Sequence, residues 1–274
     1  MQDLVDKVVV ITGAGSGIGR GLATKFAEAG AKLALADVDA EGLEATVKAL
    51  RDGVETVLVP TDVSEPGAVE ALARKTFDSY GAAHVLCNNA GVGTTGFVWE
   101  HAPPDWDWIF GVNVWGVVNG LRAFVPRFIE QGEEAHVVNT SSMLGLHGAP
   151  LSGPYAASKH AVLAITEALR QDLQIKGVTN IGVSVLCPGP VQTSLAAERD
   201  RPEVPVEEPA EVENWKKVMD QVLLGGMAPD RVAAAVVEAV LEGRFWIFPA
   251  PEYAAGAKAR IEEIELAIGG GSES

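Results

Sequence analysis

The sequence predicts an α/β fold, in which a doubly wound parallel sheet of about seven strands carries helices on both faces. Three observations lead to this prediction. Short β-branched runs alternate with helical stretches along most of the chain. The runs are unbroken apolar segments, as expected for parallel strands that are buried on both sides. A glycine-rich turn, TGAGSGIG, joins the first strand to the first helix.

The apolar runs give the strands in chain order. They are residues 7–12 (KVVVIT), 32–36 (KLALA), 55–60 (ETVLVP), 85–88 (VLCN), 135–140 (AHVVNT), 181–186 (IGVSVL) and 245–248 (FWIF). Between them the apolar residues recur with a helical period. The predicted helices are residues 18–29, 40–52, 67–80, 104–129, 154–175 and 232–242. Gly30 closes the first helix, and right-handed crossovers then give the doubly wound topology.

Residues 1–268 are predicted to form a single domain. Within it, residues 192–226 are rich in proline and glutamate and are long for a connection. We expect them to form a substrate-loop region or lid. The tail, residues 269–274 (GGGSES), is expected to be disordered.

Charge and cysteine content exclude several function classes. The formal net charge of −16, with a pI near 4.7, disfavours nucleic acid or an anionic membrane surface as partner. No signal peptide is visible, and no apolar run reaches the ~20 residues that span a bilayer. Cys87 and Cys187 lie in apolar runs and are expected to be buried free thiols. A cytoplasmic protein is therefore expected.

The glycine-rich turn predicts a nucleotide site of the Rossmann type. Gly13, Ser16, Gly17, Ile18 and Gly19 follow the spacing G-x-x-x-G-x-G rather than G-x-G-x-x-G. Glycines let a pyrophosphate approach the backbone, and the helix that follows offers free N–H groups and a partial positive charge. A tight turn is the alternative, but the position between a strand and a helix favours a nucleotide.

Asp37 indicates which nucleotide binds. It follows the second strand, 18 residues beyond Gly19, where an acidic side chain suits the adenosine ribose hydroxyls. Its charge would repel a 2′-phosphate, and no Arg or Lys lies between Gly13 and Gly19 to bind one. The sequence favours NAD and leaves NADP open. A solvated turn aspartate is the other interpretation of Asp37, and the one we favour for Asp39.

Several motifs together resemble those of the short-chain dehydrogenases/reductases, from about residue 7 to residue 193. They are, in order, TGAGSGIG, Asp62-Val63, NNAG at residues 88–91, Asn113, Ser142, YAASK at residues 155–159 and Pro188-Gly189. The resemblance implies an NAD-dependent alcohol dehydrogenase or ketone reductase that transfers the pro-S hydride. It also implies a homo-oligomer, usually a tetramer or dimer.

Tyr155 and Lys159 support this chemistry independently. They are four residues apart on a predicted helix, so both side chains lie on one face. A free tyrosine has a pKa of about 10, and an ammonium and a positive nicotinamide nearby would lower it. Tyr155 can then act as general base for alcohol oxidation or general acid for ketone reduction. Taken alone, the pair would be interpreted as a surface aromatic and a solvated lysine.

The resemblance assigns further catalytic roles. Ser142, 13 residues before Tyr155, would hydrogen-bond the substrate oxygen, and Ser141 would serve packing or the turn. Lys159 would also hold the nicotinamide ribose. Asn113 matches an asparagine that holds a water linking the lysine to solvent. A helix-interior asparagine bonded to backbone is the alternative for Asn113.

The resemblance also implies the cofactor contacts. Asp62 and Val63 would flank the adenine, and Asn89, Ala90 and Gly91 would follow the adenine-side ribose. The nicotinamide pocket would be shaped by Pro188, Gly189, Val191 and Thr193. Val38, next to Asp37, is also expected to bind the cofactor. No metal is expected, because the five histidines show no ligand spacing.

The residues after Ser142 predict an apolar substrate pocket. They are Met143, Leu144, Leu146, His147, Leu151 and Gly153, together with Pro190. None is a Lys or Arg that could bind a carboxylate or phosphate, so we expect an apolar or aromatic secondary alcohol or its ketone. The segments starting DWDWIF and FWIFPAPEY are similar to a bacterial subgroup that includes lignin-type aryl-ether alcohol dehydrogenases. Steroid and terpenoid alcohols remain open.

Two other functions fit the same fold, since fold alone does not fix function. One is a non-catalytic NAD-binding regulator, which need not retain Ser142, Tyr155, Lys159 and Asn113 together. The other is a lyase or epimerase, a class found mainly in longer relatives with another glycine spacing. Turnover of a secondary alcohol with formation of NADH would exclude both.

Overall fold

A computed structural model describes residues 1–193, 195, 201–202 and 209–269. In these residues all strands lie in one parallel sheet, ordered β3-β2-β1-β4-β5-β6-β7. The strands are β1 (Val8–Thr12), β2 (Lys32–Asp37), β3 (Thr56–Pro60), β4 (Val85–Asn88), β5 (Ala135–Thr140), β6 (Ile181–Leu186) and β7 (Trp246–Ile247). The order reverses between β1 and β4, and the predicted doubly wound fold is confirmed.

Helices cover both faces of this sheet. They are α1 (Gly17–Glu28), α2 (Ala40–Ala49), α3 (Pro66–Tyr80), α4 (Pro103–Phe110), α5 (Gly116–Gln131), α6 (Gly153–Ile175), α7 (Ala210–Leu224), α8 (Pro229–Glu242) and α9 (Ala255–Gly269). Local signals set several of their ends. Asp39 caps α2 by accepting a hydrogen bond from the Gly42 N–H at 3.0 Å, and Pro66 and Pro229 open α3 and α8.

The core lies in two layers, one on each side of the sheet. Successive residues of β1 alternate between them, as the pleat of a strand requires. Val9 and Ile11 pack with Phe26 of α1 and with α8 on one side. Val8 and Val10 pack on the other side with α3 and with Phe124 and Phe128 of α5. This two-sided burial explains why the strands are apolar throughout.

The predicted helix 104–129 is interrupted by a wider turn. Residues Gly111–Trp115 form a π-helical segment between α4 and α5. Such a turn accommodates an extra residue and rotates the side chains after it, and π turns often occur at functional sites. Asn113 lies in this segment and is completely buried. The periodicity of the sequence did not reveal the interruption.

The prediction that residues 192–226 form an irregular loop is wrong for its second half. The structure places α7 (Ala210–Leu224) there, preceded by Pro209. Only Val212 of α7 is buried, so the helix lacks the continuous apolar stripe by which helices are found in sequence. Helix α9 was not predicted either, and Gly269 is its last residue. The rest of the predicted disordered tail lies outside the described residues.

One helical stretch in the described part of the chain meets the length and hydropathy of a membrane span. It is Pro103–Gln131, with 44% of its most apolar window buried in the protein. Core helices of globular proteins meet the same test. The buried side chains of this stretch include Ile109, Val117, Phe124 and Phe128.

Candidate active site

A cavity of about 920 Å³ opens at the carboxyl ends of the strands, where the strand order reverses. Ligands bind at this position in open α/β sheets, and the volume is within the range of small-molecule sites. Every residue that was expected to bind the cofactor lines the cavity. These are Gly13, Ser16, Gly17, Ile18, Gly19, Asp37, Val38, Asp62, Val63, Asn89, Ala90, Gly91, Tyr155, Lys159, Pro188, Gly189, Val191 and Thr193.

The glycine-rich turn leaves no room for side chains. Gly13 has a φ of +66°, and a Cβ atom built on it would lie 2.8 Å from the Cα of Ala90. A Cβ atom on Gly17 would lie 2.8 Å from Cγ2 of Thr193. The side chain of Ser16, the N-cap of α1, makes no capping hydrogen bond. The first N–H groups of α1 therefore remain available to an anion, which fits a dinucleotide pyrophosphate.

Asp37 ends β2 and is held by the turn. Its Oδ2 accepts a hydrogen bond from the Gly15 N–H at 2.8 Å, and its Oδ1 accepts one from the Asp39 N–H at 3.0 Å. A carboxylate oxygen can accept more than one hydrogen bond, so both oxygens keep capacity for ribose hydroxyls. Lys159 is the only basic side chain among the described residues that line the cavity. The surroundings of Asp37 thus fit NAD better than NADP.

Thr12 joins the two central strands at the base of the cavity. Its Oγ1 accepts hydrogen bonds from the N–H groups of Asn89 at 3.0 Å and Ala90 at 3.1 Å. The Asn89 side chain in turn donates to the Thr12 carbonyl at 3.0 Å. These bonds fix the segment after β4 against the end of β1, where the predicted ribose contacts lie.

Ser142, Tyr155 and Lys159 come together on the cavity wall. Helix α6 places Tyr155 and Lys159 one turn apart, with Nζ of Lys159 5.7 Å from the centroid of the Tyr155 ring. Ser142 follows β5 and lies beside the Tyr155 side chain, whose pKa it lowers. Nζ of Lys159 also donates to the Thr140 carbonyl at 3.0 Å. The three side chains are thus arranged around one point of the cavity.

The two neighbouring serines have different surroundings. The Ser141 hydroxyl donates to the backbone carbonyl of Lys159 at 2.7 Å, which ties β5 to α6. The Ser142 hydroxyl instead faces Tyr155 and accepts a hydrogen bond from the Leu144 N–H at 3.1 Å. Ser142 is therefore the serine that lies in position to contact a substrate oxygen beside Tyr155.

Burial shifts the pKa values of both ionisable groups at this point. It raises the pKa of Tyr155 to about 12, although the hydrogen bond with Ser142 lowers that pKa in part. It lowers the pKa of Lys159 to about 8. Both shifts disfavour the charged forms when no cofactor is bound. Below about pH 8 Lys159 carries a buried charge, which is consequently a source of instability in the cofactor-free protein.

We expect Lys159→Met to raise the Tm of the NAD-free protein, most strongly at and below about pH 8. Because the pKa of Lys159 is lower in the folded state, its stability contribution is present above the unfolded pKa of about 10.5 and is lost as pH falls through about 8. Each ~1 kcal/mol of change in the free energy of unfolding corresponds to about 2–4 °C in Tm for a chain of this size. Thermal denaturation from pH 6 to about pH 10 measures the effect. Exposed Lys48→Met is the control, and a Tm difference for Lys159→Met that does not vary with pH would contradict the prediction.

Asn113 lies behind the cavity wall rather than on it. Its Oδ1 accepts a hydrogen bond from the Val92 N–H at 2.8 Å, and its Nδ2 donates to the Val92 carbonyl and to Oγ of Ser158, both at 2.9 Å. A Cβ atom on Gly91 would lie 3.2 Å from both Asn113 Oδ1 and Lys159 Nζ. The side chain therefore joins the segment after β4 to α6, and a part for Asn113 in a water link between Lys159 and solvent stays a prediction.

The predicted substrate-pocket residues do not line this cavity. Met143 packs into the core against Val185 and Cys187, and His147 bonds the Gly148 carbonyl and lies beside Gly256. Leu144 and Leu151 are partly buried, with Leu151 at a φ of +56°, and the Pro190 carbonyl accepts a hydrogen bond from the Met227 N–H. Of these predicted pocket residues only Met143 is buried, and the position of the substrate pocket stays a prediction.

Other cavity residues were missed by the sequence analysis. They are Asp39, Glu41, Thr61, Ser64, Val92, Asp107, Trp108, Gly111, Val112, Thr140, Ser141, Leu195 and Leu223. The spacing of Trp108, Gly111 and Val112 on one helical face was a signal that could have identified them. Leu195 and Leu223 gave no such signal, because they come from the segment that was predicted to be irregular.

An ion pair joins Arg201 to the buried side chain of Asp105. Nε of Arg201 donates to Oδ1 of Asp105 at 2.9 Å. Asp105 is almost fully buried, and the Arg201 guanidinium holds its pKa below the usual range although desolvation alone would raise it. His101 lies 3.7 Å from the same carboxylate. These contacts connect Arg201 to the start of α4.

The remaining predictions concern thiols and metals. Cys87 and Cys187 are buried free thiols, as expected, and burial raises the pKa of both. In the part of the chain that the structure describes, no three His, Cys, Asp or Glu side chains form a group that could hold a metal ion.

Comparisons with known proteins agree with this geometry. The family model described as short chain dehydrogenase matches residues 7–204. A solved short-chain dehydrogenase/reductase from Burkholderia phymatum, in complex with NAD, superposes with a TM-score of 0.94 at 44% identity, covering 97% of each chain.

Two curated relatives are dehydrogenases by name. The C alpha-dehydrogenase of Sphingobium sp. is 36% identical over 269 residues, covering 96% of this chain and 87% of its own. The 1-deoxy-11-beta-hydroxypentalenate dehydrogenase of Streptomyces exfoliatus is 44% identical over 195 residues, covering 70% of each chain. Both similarities include the stretch that carries the predicted catalytic residues.

Proposed function

The chain belongs to the short-chain dehydrogenase/reductase family, and we propose that it is an NAD-dependent dehydrogenase of apolar or aromatic secondary alcohols. It transfers a hydride between NAD(H) and an alcohol or ketone. The observation that carries the proposal is the position of Ser142, Tyr155 and Lys159 on the wall of the cavity that also holds the cofactor residues.

In the proposed mechanism Tyr155 moves the proton. During alcohol oxidation its phenolate takes the hydroxyl proton of the substrate, and during ketone reduction the phenol returns it. Ser142 donates a hydrogen bond to the substrate oxygen and stabilises the charge that develops there. Lys159 favours the phenolate by its positive charge and is one turn away on α6. Bound NAD supplies the hydride acceptor, and NADH the donor, at the nicotinamide ring.

In this proposal the cofactor is held by groups at the ends of five strands, β1, β2, β3, β4 and β6. The α1 N-terminus and the glycine turn receive the pyrophosphate, and Asp37 receives the adenosine ribose. Asp62 and Val63 flank the adenine, and Asn89, Ala90 and Gly91 lie along the ribose. Pro188, Gly189, Val191 and Thr193 bound the nicotinamide end.

Apolar surroundings beside Tyr155 support the proposed substrate class. A Cβ atom on Gly93 would lie 3.5 Å from Cγ of Leu195 and 3.7 Å from Cδ2 of Tyr155, so Leu195 closes one side of the reaction point. No basic side chain other than Lys159 lines the described cavity to attract an anionic substrate. The names of the relatives from Sphingobium and Streptomyces also describe dehydrogenases. Among the candidate substrates, we place aryl carbinols first.

The direct test is NADH formation across a panel of aryl, steroid and aliphatic secondary alcohols, with NAD and with NADP. We expect turnover with NAD and the highest kcat/KM for an apolar or aryl alcohol. Highest kcat/KM for a charged, hydrophilic alcohol would contradict the substrate class. NAD binding without turnover of any alcohol or ketone would instead favour a non-catalytic NAD-binding regulator.

Asp37→Ala should reduce selectivity for NAD. Loss of a charged hydrogen-bonding group costs about 1.5–3 kcal/mol, which corresponds to a rise of roughly 10- to 100-fold in KM for NAD. Removing the charge also removes repulsion of a 2′-phosphate, so kcat/KM with NADP should rise in absolute terms. Initial rates with both cofactors measure this. Glu41→Gln, a second acid on the cavity wall, is the control, and an unchanged cofactor ratio in Asp37→Ala would show that Asp37 is only a turn residue.

We also propose that the enzyme is a cytoplasmic homo-oligomer, a tetramer or a dimer. Two buried free thiols and an acidic surface support a reducing compartment and disfavour nucleic acid or an anionic membrane as partner. Sedimentation velocity measures the number of copies.

A further inference from the structure

Helix α9 presents an apolar face that nothing in the described chain covers. Of its residues only Ala257 is buried, and all from Lys258 to Gly269 are exposed. Ile261 is 55% exposed and Ile268 is 77% exposed. A helix of 15 residues is marginal in water on its own. A surface that covers this face would stabilise the helix.

The apolar residues of α9 have the spacing of a coiled-coil seam. Ala257, Ile261, Ile264 and Ile268 are separated by four, three and four residues, which places them in one stripe along the helix. Leu266, also exposed, lies on the opposite face. Since isoleucine at these positions suits knobs-into-holes packing, the stripe fits a partner helix of similar length, about 22 Å.

The charges of α9 select the partner and its direction. Lys258 and Arg260 lie in the first half of the helix, and Glu262, Glu263 and Glu265 lie in the second half. A second α9 running antiparallel would bring the basic half of each helix against the acidic half of the other. A parallel pair would bring like charges together, which is destabilising. The helix is thus complementary to itself under a two-fold axis.

We propose that α9 pairs antiparallel with α9 of a second copy of this chain. Ile261, Ile264 and Ile268 of both copies form the contact, beyond the buried Ala257, and Lys258 of each copy lies beside Glu265 of the other. This surface is independent of the reaction proposed above. Helix α9 also contacts the turn that follows Ser142, because Arg260 donates to the Leu146 carbonyl at 3.0 Å and Gly256 lies against His147. The excess of acid on α9 and the net charge of −16 disfavour an anionic membrane as the covering surface.

Hydrogen exchange of the full-length protein tests the pairing. We expect the amides of residues 255–269 to exchange more slowly as protein concentration rises. Ile264→Lys should remove this concentration dependence and speed exchange by about tenfold or more, because a charge in the seam is desolvated without a partner. Leu266→Lys introduces the same charge on the opposite face and should leave exchange as in the wild type. Exchange that does not depend on concentration in the wild type would overturn the proposal.

A charge swap tests the antiparallel direction. Lys258→Glu should weaken self-association, because the new carboxylate would lie against Glu265 of the other copy, as measured by sedimentation velocity and the same exchange experiment. Lys258→Glu combined with Glu265→Lys should restore both to wild-type values, because each copy then carries both changes. Failure of the double variant to restore them, or equal effects of Leu266→Lys and Ile264→Lys, would overturn the pairing.

Discussion

Tyr155→Phe is expected to lower kcat for alcohol oxidation by roughly two to four orders of magnitude, the range that a positioned acid or base contributes. The variant loses only the hydroxyl that carries the proton. The ring remains next to Leu195 and Lys159, so the shape of the cavity is preserved. NAD affinity should therefore change by about twofold or less. Stopped-flow or steady-state NADH formation measures kcat, and calorimetric titration measures NAD binding.

Tyr80→Phe is the matched control for this variant. This variant also removes a tyrosine hydroxyl that makes a hydrogen bond. The Tyr80 hydroxyl donates to the Leu33 carbonyl at 3.1 Å, far from the cavity. The Tyr80→Phe protein should lose a little stability and keep its kcat. A Tyr155→Phe enzyme with near-normal turnover would end the proposed mechanism, whereas loss of NAD binding would show that the hydroxyl serves the cofactor rather than the proton.

The parts of the fold that carry strong local signals were predictable from the sequence. Strand β1 is apolar on both faces, so its burial could be inferred from the sequence. The glycines that follow it have the spacing of a turn in which two stretches of backbone come close together, so a nucleotide ligand could be inferred as well. Tyr155 and Lys159 were placed together by the helical repeat alone. The choice of Ser142 over Ser141 came from the spacing in related proteins, and the structure gives its physical basis in the hydrogen bonds of the two hydroxyls.

Features that depend on tertiary contacts were not predictable in this way. The π turn at Gly111–Trp115 leaves no mark on the apolar pattern, yet it carries the buried side chain of Asn113 to Val92. Helix α7 buries one residue, so its sequence is mostly polar and predicts an irregular segment. The substrate pocket stays a prediction, because Met143 packs in the core with Val185 and Cys187, and residue type does not distinguish that role from a contact with an apolar ligand.

Gly19→Ala should abolish NAD binding, with an expected rise in Kd of about 100-fold or more. A Cβ atom on Gly19 would overlap the carbonyl oxygen of Gly13 and lie 2.6 Å from the Gly13 carbonyl carbon. Both atoms belong to backbone, so no flexible side chain can yield, and the turn must open where the pyrophosphate is expected. Activity should fall with the occupancy of NAD, and calorimetric titration of the cofactor measures the loss directly.

Gly67→Ala separates this clash from a general effect of replacing a helical glycine. Gly67 lies in the first turn of α3, and a Cβ atom there would meet nothing within 4 Å. Alanine should therefore keep NAD affinity and stabilise α3 by up to about 1 kcal/mol. Far-UV circular dichroism establishes that both variants keep the sheet and helices. A folded Gly19→Ala protein that binds NAD as tightly as the wild type would mean that the turn can relax, and the pyrophosphate would then have to be held elsewhere than by the close approach of Gly13 and Gly19.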